Sequence, residues 1–208
     1  MIGNRAFFAM MLGPFSAVFV WSAIAPRDLF IWFLEVLPVL LALPILVFTY
    51  RNFPLSRLAY VLILAHAIIL LVGGHYTYSE MPLFNWLRDD FHLARNYYDR
   101  LGHVAQGFVP AIVAREILLR TSPLRPGKWL FFLVTCVCLA ISAFYEFFEW
   151  WVALASGSDA VAFLATQGDV WDTQADMFLA LCGAIAAQLL LGKVHDRSMR
   201  DCLARNRE

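Results

Sequence analysis

The chain has 208 residues, of which 61% are hydrophobic and only 15% charged, with a mean hydropathy of +0.66. Soluble domains average about 45–50% apolar and about 25% charged residues, so the composition excludes an ordinary water-soluble domain. Basic and acidic residues number 16 each, which leaves a formal net charge of +0 and no global field to attract nucleic acid.

Six apolar runs approach the ~20 residues needed to cross a bilayer. They predict an all-α fold: a polytopic membrane helical bundle of six transmembrane helices, forming one integral domain over residues 1–208. The first run covers about 7–24. It imitates a secretory signal, with Arg5 before it and Ala23-Ile24-Ala25 after it. The run is long for a signal, however, and Pro26 would follow the cut, so an uncleaved span is expected. The second and third runs cover about 30–50 and 58–74, the latter broken by Gly73-Gly74. A loop to Tyr98 follows, long for a bundle connection. Pro82 opens "PLFNWLRDDF", whose Leu83, Trp86, Leu87 and Phe91 form a rough apolar stripe. That pattern predicts a short interfacial helix between spans three and four, placed to lid a polar site. The remaining runs cover about 98–119, 129–154 and 176–191, with 192–208 left as a cytoplasmic tail.

Lys and Arg orient the bundle. Arg5, Arg51, Arg57, Arg120, Arg125 and Lys128 fall on one side, together with the tail residues Lys193, Arg197, Arg200, Arg205 and Arg207. The other side holds Arg27, Arg88, Arg95 and Arg100, and no basic residue between the last two spans. The bias predicts both termini in the cytoplasm of a bacterial inner membrane. No cysteine falls in an outer loop, so no disulfide is expected.

On this topology the acids converge. Asp99, His103 and Gln106 share one face of span four; Ser142, Glu146 and Glu149 share one face of span five; Asp169, Asp172 and Asp176 lead into span six at helical spacing. Glu35, His75, Tyr78 and Glu80 join them at the outer end. Facing lipid, each charge would cost about 2.5–3.5 kcal/mol at mid-span, so these faces point inward. Inside, the carboxylates must share protons, pair with Arg95 and Arg100, or bind metal.

Single residues have plainer readings. Asp172 alone suits a helix N-cap. Asp99 with Arg95 suits an i,i+4 pair. Arg115 with Glu116 suits a snorkelling pair. His66 reads as a packing histidine, while His92 and His195 sit in polar stretches and carry no signal. Gly183 and Ala187 form a small-xxx-small pair, the mark of close helix packing. The set His103, Glu146, Glu149, Asp172 and Asp176 resists a purely structural account.

The stretches "HYTYSEMPLFNWL", "RNYYDRLGHVAQGFVPAIVAREILLR", "YEFFEWW" and "TQGDVWDTQADM" resemble the YjdF family of bacterial inner-membrane proteins. The likeness covers residues 74–187. It implies a polytopic inner-membrane protein and assigns no activity. The order Asp99…His103, Glu146, Asp172…Asp176 with Gly183 is also similar to VanZ-like proteins, linked to glycopeptide resistance, although Asp176 stands where Asn is expected.

Two functions follow from the acid set. One is a metal-dependent membrane hydrolase acting at the outer leaflet on a lipid or envelope precursor. There His103, Glu146, Glu149, Asp172 and Asp176 would hold one or two divalent ions (Mn, Mg or Zn), Asp99 would orient His103, and His75 or Tyr78 would serve as acid. The other is a cation or proton-coupled transporter using the same carboxylates. A pathway must continue to the inner side, where polar groups are few: His66, Arg115, Glu116 and Gln188. The topology is checked by reporter fusions, expected to read periplasmic after Asp159 and cytoplasmic after Pro126. The reverse pattern would overturn the placement of the acids.

Overall fold

The computed structural model describes residues 3–156 and 161–205. Asp159, in the loop after span five, and Arg207, in the basic tail, lie outside the described residues. Every regular element among the described residues is helical: α1 (Asn4–Ala23), α2 (Leu29–Thr49), α3 (Arg57–Tyr76), a 3₁₀ turn (Tyr78–Glu80), α4 (Pro82–Asp90), α5 (Tyr98–Thr121), α6 (Lys128–Ser156), α7 (Val161–Leu164) and α8 (Asp172–Arg205). Local signals set several of the starts. Asp28 caps α2 by accepting from Ile31 N at 2.9 Å, Ser56 caps α3, and Pro82 supplies the fixed φ of the first position of α4.

Five helices, α1, α2, α3, α6 and α8, are long and apolar enough to cross a membrane, judged over the described residues. The sixth expected span, α5, falls outside that group because it carries Asp99, Arg100, Arg115, Glu116 and Arg120. Its position explains the composition. α5 packs most closely against α8, then against α6 and α3, and Asp99, Arg100, His103, Arg115 and Glu116 are all buried. A helix enclosed by other helices meets protein rather than lipid, so mean hydropathy does not govern it.

The α5–α8 crossing is held close by glycines. A Cβ at Gly107 would overlap the backbone carbonyl of Ala180, and one at Gly183 would overlap the carbonyl of Val104. Gly183, Ala184 and Ala187 are buried, as the small-residue spacing predicted.

Three expectations are corrected. α3 is not broken at Gly73-Gly74. It runs to Tyr76, and the two glycines make room for the rings of Tyr78 and Tyr98 and for Val36. The left-handed φ of Thr77, 67°, ends the helix instead. The helix of the last span does not end near residue 191, because α8 is one 34-residue helix. At 1.5 Å per residue it is about 51 Å long, well beyond the ~30 Å hydrocarbon core. Its distal half is also not featureless. Leu191, His195, Ser198 and Cys202 recur at i, i+4, i+7 and i+11, and His195 and Cys202 are buried.

Substituting Gly183 by Val is expected to destabilise the bundle by at least ~1–3 kcal/mol, the usual cost of overpacking. Gly192→Ala, at a site with open space around it, is the control. Thermal unfolding in detergent compares them, and equal melting of the two variants would contradict the close crossing.

Candidate functional site

The N-terminal end of α5 carries the polar centre. Asn96 anchors the loop before it: its backbone N–H donates to Gln167 Oε1 at 2.8 Å, and its side-chain amide donates to Met81 O at 3.1 Å and Asn85 Oδ1 at 2.8 Å. Its own Oδ1 accepts from Tyr98 N at 3.0 Å. This knot joins α4, the start of α5 and the loop before α8. Nothing in the sequence marked Asn96, because its partners are far away in the chain.

Arg95 and Arg100 then gather the aspartates. Arg100 reaches Asp169 at 3.0 Å, Asp172 at 2.7 Å and Asp176 at 2.5 Å. Arg95 reaches Asp172 at 2.5 Å and Asp99 at 3.6 Å, and it also donates to Ala165 O at 2.7 Å. Asp169 precedes the helix rather than sharing its face, and it turns its other oxygen to Trp171 N. The three acids therefore converge through Arg100 and not through one helical stripe. Asp172, expected among metal ligands or as a plain cap, is committed to the two guanidiniums.

Two arginines facing four buried or half-buried aspartates leave a negative surplus. That surplus is next to His103. Its Nδ1 lies 2.9 Å from Gln106 Oε1, an acceptor, so Nδ1 carries the proton. Its Nε2 lies 3.4 Å from Asp99 Oδ1 and 3.6 Å from Asp176 Oδ1, both acceptors, so Nε2 either donates to them as an imidazolium or shares a cation with them. Ligand atoms of Asp99, His103 and Asp176 all lie within 4.8 Å of one another, and the three residues are buried. This buried group could hold a metal ion. Gln106 contacts Nδ1 and Asp99 contacts Nε2, so the imidazole is held from both sides.

α6 supplies the next wall. Ser142, Glu146 and Glu149 are buried on one face, as the spacing predicted, and Glu146 Oε1 lies 4.0 Å from His103 Nδ1. Ser142 Oγ, Glu146 Oε1 and Asp99 Oδ2 have no hydrogen-bond partner among the described residues. Such atoms cost about 1–3 kcal/mol each when left unmade, and of the three only Asp99 Oδ2 keeps an ion pair with an arginine, Arg95 at 3.6 Å.

The two remaining predicted residues are directed elsewhere. His75 Nδ1 lies 3.2 Å from Ser22 O, and its ring packs on Trp21 at 4.3 Å. Tyr78 donates its backbone N–H to Glu35 Oε1 at 3.1 Å and its hydroxyl to Glu35 O at 3.3 Å. Burial pushes the Tyr78 phenol well above its ordinary value, so it stays protonated. Glu35 is buried, with Oε2 unpartnered among the described residues.

The opposite end of α5 holds a second polar cluster. Arg115 and Glu116, expected to snorkel, are both buried. Glu116 accepts from Ser56 N at 2.9 Å and Arg120 at 2.7 Å. Arg115 pairs with Asp196 at 2.7 Å and donates to His195 Nδ1 at 2.9 Å. An arginine only donates, so His195 carries its proton on Nε2 and gives it to Glu116 Oε2 at 3.0 Å. His195 was dismissed because it sits among charges in sequence. Its signal was the helical register it shares with Leu191 and Cys202.

A buried charge network inside a bundle of membrane-length helices defines a polytopic helical membrane protein. The predicted membrane protein family DUF2238 matches residues 7–197, and the chain belongs to it. The chain is 50% identical over 183 residues, 88% of each sequence, to the inner membrane protein YjdF of Escherichia coli (strain K12). No solved structure matches the chain. It is a multi-pass inner-membrane protein of the YjdF-like family.

Arg100→Ala is expected to destabilise the fold by about 3–5 kcal/mol, because it strands buried aspartates. Arg100→Lys should recover only part of this, since an ammonium cannot span three carboxylates as the planar fork does. Melting in detergent checks the order wild type, Lys, Ala.

Proposed function

We propose that the protein is a metal-dependent membrane hydrolase whose site opens at the outer leaflet and acts on a lipid or envelope precursor. The observation that carries this is the cluster of His103 Nε2 with Asp99 and Asp176 while Gln106 holds Nδ1, so that a cation displacing the Nε2 proton would meet one nitrogen and two carboxylates. One nitrogen with several carboxylate oxygens suits Zn or Mn, and Mg if water completes the shell. A divalent ion there would polarise the scissile bond and lower the pKa of a bound water. Glu146 Oε1, unpartnered and next to the His103 ring, is positioned to take the proton of the attacking water. Glu149 lies one turn further along the same face, and Arg95 and Arg100 hold Asp172 as a fixed support. Tyr78, protonated but bonded to Glu35 O, and His75, bonded to Ser22 O, would need to turn to act as acid. In this reading α5 is the sixth span, α4 lies in the outer interface, and both termini are cytoplasmic. Trp86 and Leu83 are exposed on α4, as an interfacial helix requires.

The transporter reading draws on the inner cluster of Arg115, Glu116, Arg120, His195 and Asp196, richer than the sequence suggested. Between the two clusters, however, α5 and α8 meet through buried apolar and small residues, Ala111 and Ile112 with Ala184 and Ala187. A pathway interrupted there favours the one-sided enzyme.

Metal is expected to copurify near stoichiometrically and to raise the melting temperature. Metal at 100 times its Kd stabilises by about 2.7 kcal/mol. His103→Ala should remove most of that gain, and His92→Ala should not. Wild-type protein that carries no metal and melts unchanged with Mn, Mg or Zn would overturn the hydrolase and leave a proton-sharing carboxylate cluster.

A further inference from the structure

Below the polar centre lies a chamber of about 600 Å³, walled by α1, α2, α3, α5 and α6. That is within the ~300–1,000 Å³ of small-molecule sites. On α5 its lining runs from Val109 to Leu118, about 14 Å at the helical rise. The chamber exists because α2 packs on α3 and stands away from α5 and α6 along its second half. Leu43, Ile117 and Ile141 line it and are also exposed on the outer surface of the bundle, so it is continuous with the face that meets lipid.

Water is a poor occupant, since a buried water needs two to four polar partners and the walls offer Tyr60 and His66. Hydrocarbon is the medium at this depth, and the walls match it. The polar centre lies further along α5 and α6, although none of its residues lines the chamber. On α6, Ile141 lines it; Ser142 is the next residue, with its hydroxyl unpartnered, and Glu146 follows one turn on. On α5, Val109 lines it and His103 lies less than two turns towards the helix start. An apolar slot with unpartnered oxygens about one to two turns beyond it along α5 and α6 matches an amphiphile, tail and head in order.

We propose that this chamber holds the hydrocarbon chain of a membrane lipid, with the lipid head group presented to Asp99, His103, Glu146 and Asp176. The chain enters sideways between α2 and the α5–α6 pair. His66, with no hydrogen bond among the described residues, stands in the wall within reach of a polar group on the chain. The substrate is therefore a lipid drawn from the bilayer rather than a soluble precursor. This rests on the hydrolase reading for the chemistry at the head, and on the chamber alone for the tail.

The test uses the full chain in vesicles of phosphatidylethanolamine and phosphatidylglycerol containing a phosphatidylethanolamine with a diazirine on its acyl chain. After irradiation, labelled peptides are mapped. Label is expected on Ala67 and Val109, which are buried and out of reach of lipid that merely surrounds the bundle. Ala114→Trp, or Ala42→Trp from the opposite wall, should abolish label at both positions while melting stays near wild type. Phe48→Trp, at an exposed position, should leave it unchanged. Label confined to exposed residues such as Phe48 and Leu189 would overturn the proposal. His103→Ala separates the two readings. It should lose the metal-dependent melting shift and keep the label on Ala67. Label without any metal effect in the wild type would overturn the hydrolase and leave the lipid slot standing.

Discussion

The close approach of α5 and α8 is the constraint on which the rest depends. Gly107 and Gly183 each lie where any side chain would strike the backbone of the other helix. With the axes that close, short aspartates on α8 can meet Arg100 and His103 on α5. In lipid there is no hydrophobic drive to bring helices together, so small residues and polar contacts do that work. The two charge clusters sit at opposite ends of this one crossing, at Arg100 with Asp172 and Asp176, and at Glu116 with His195. Each cluster is admissible because the crossing shields it from hydrocarbon.

The two clusters differ in kind. At the Glu116 end each polar group of the Glu116–His195–Arg115 chain has a partner, and the proton positions follow from one arginine that can only donate. A satisfied network of this sort fixes register and rigidity. At the other end the arginines satisfy Asp172 and part of Asp176, while Asp99, Glu146 and Ser142 keep oxygens without a hydrogen bond around the His103 imidazole. Incomplete satisfaction separates a site from a clamp.

The chamber adds the third element. Helices α1 and α2 lean on α3 and leave an apolar gap beside the central helix. A soluble protein would collapse such a gap. In a bilayer, lipid chains can fill it with little loss of contact energy, so the bundle can keep it open.

Much of this was legible in the sequence. Apolar run length gave the helices and their approximate ends, because crossing hydrocarbon requires a fixed rise per residue. Helical spacing gave the faces of Asp99–His103–Gln106 and Ser142–Glu146–Glu149, since residues three and four apart must be neighbours. Turn and cap residues placed the start of α4 at Pro82. Tertiary structure alone decided the pairings. That Asp172 faces arginine while Asp176 faces both Arg100 and His103 depends on where two distant helices cross, and no local period encodes that. His195 was hidden for the same reason: a histidine among charges is buried only if another helix end comes to meet it. The chamber is a property of how five helices fail to touch, and spacing along a single chain carries no record of a gap between elements.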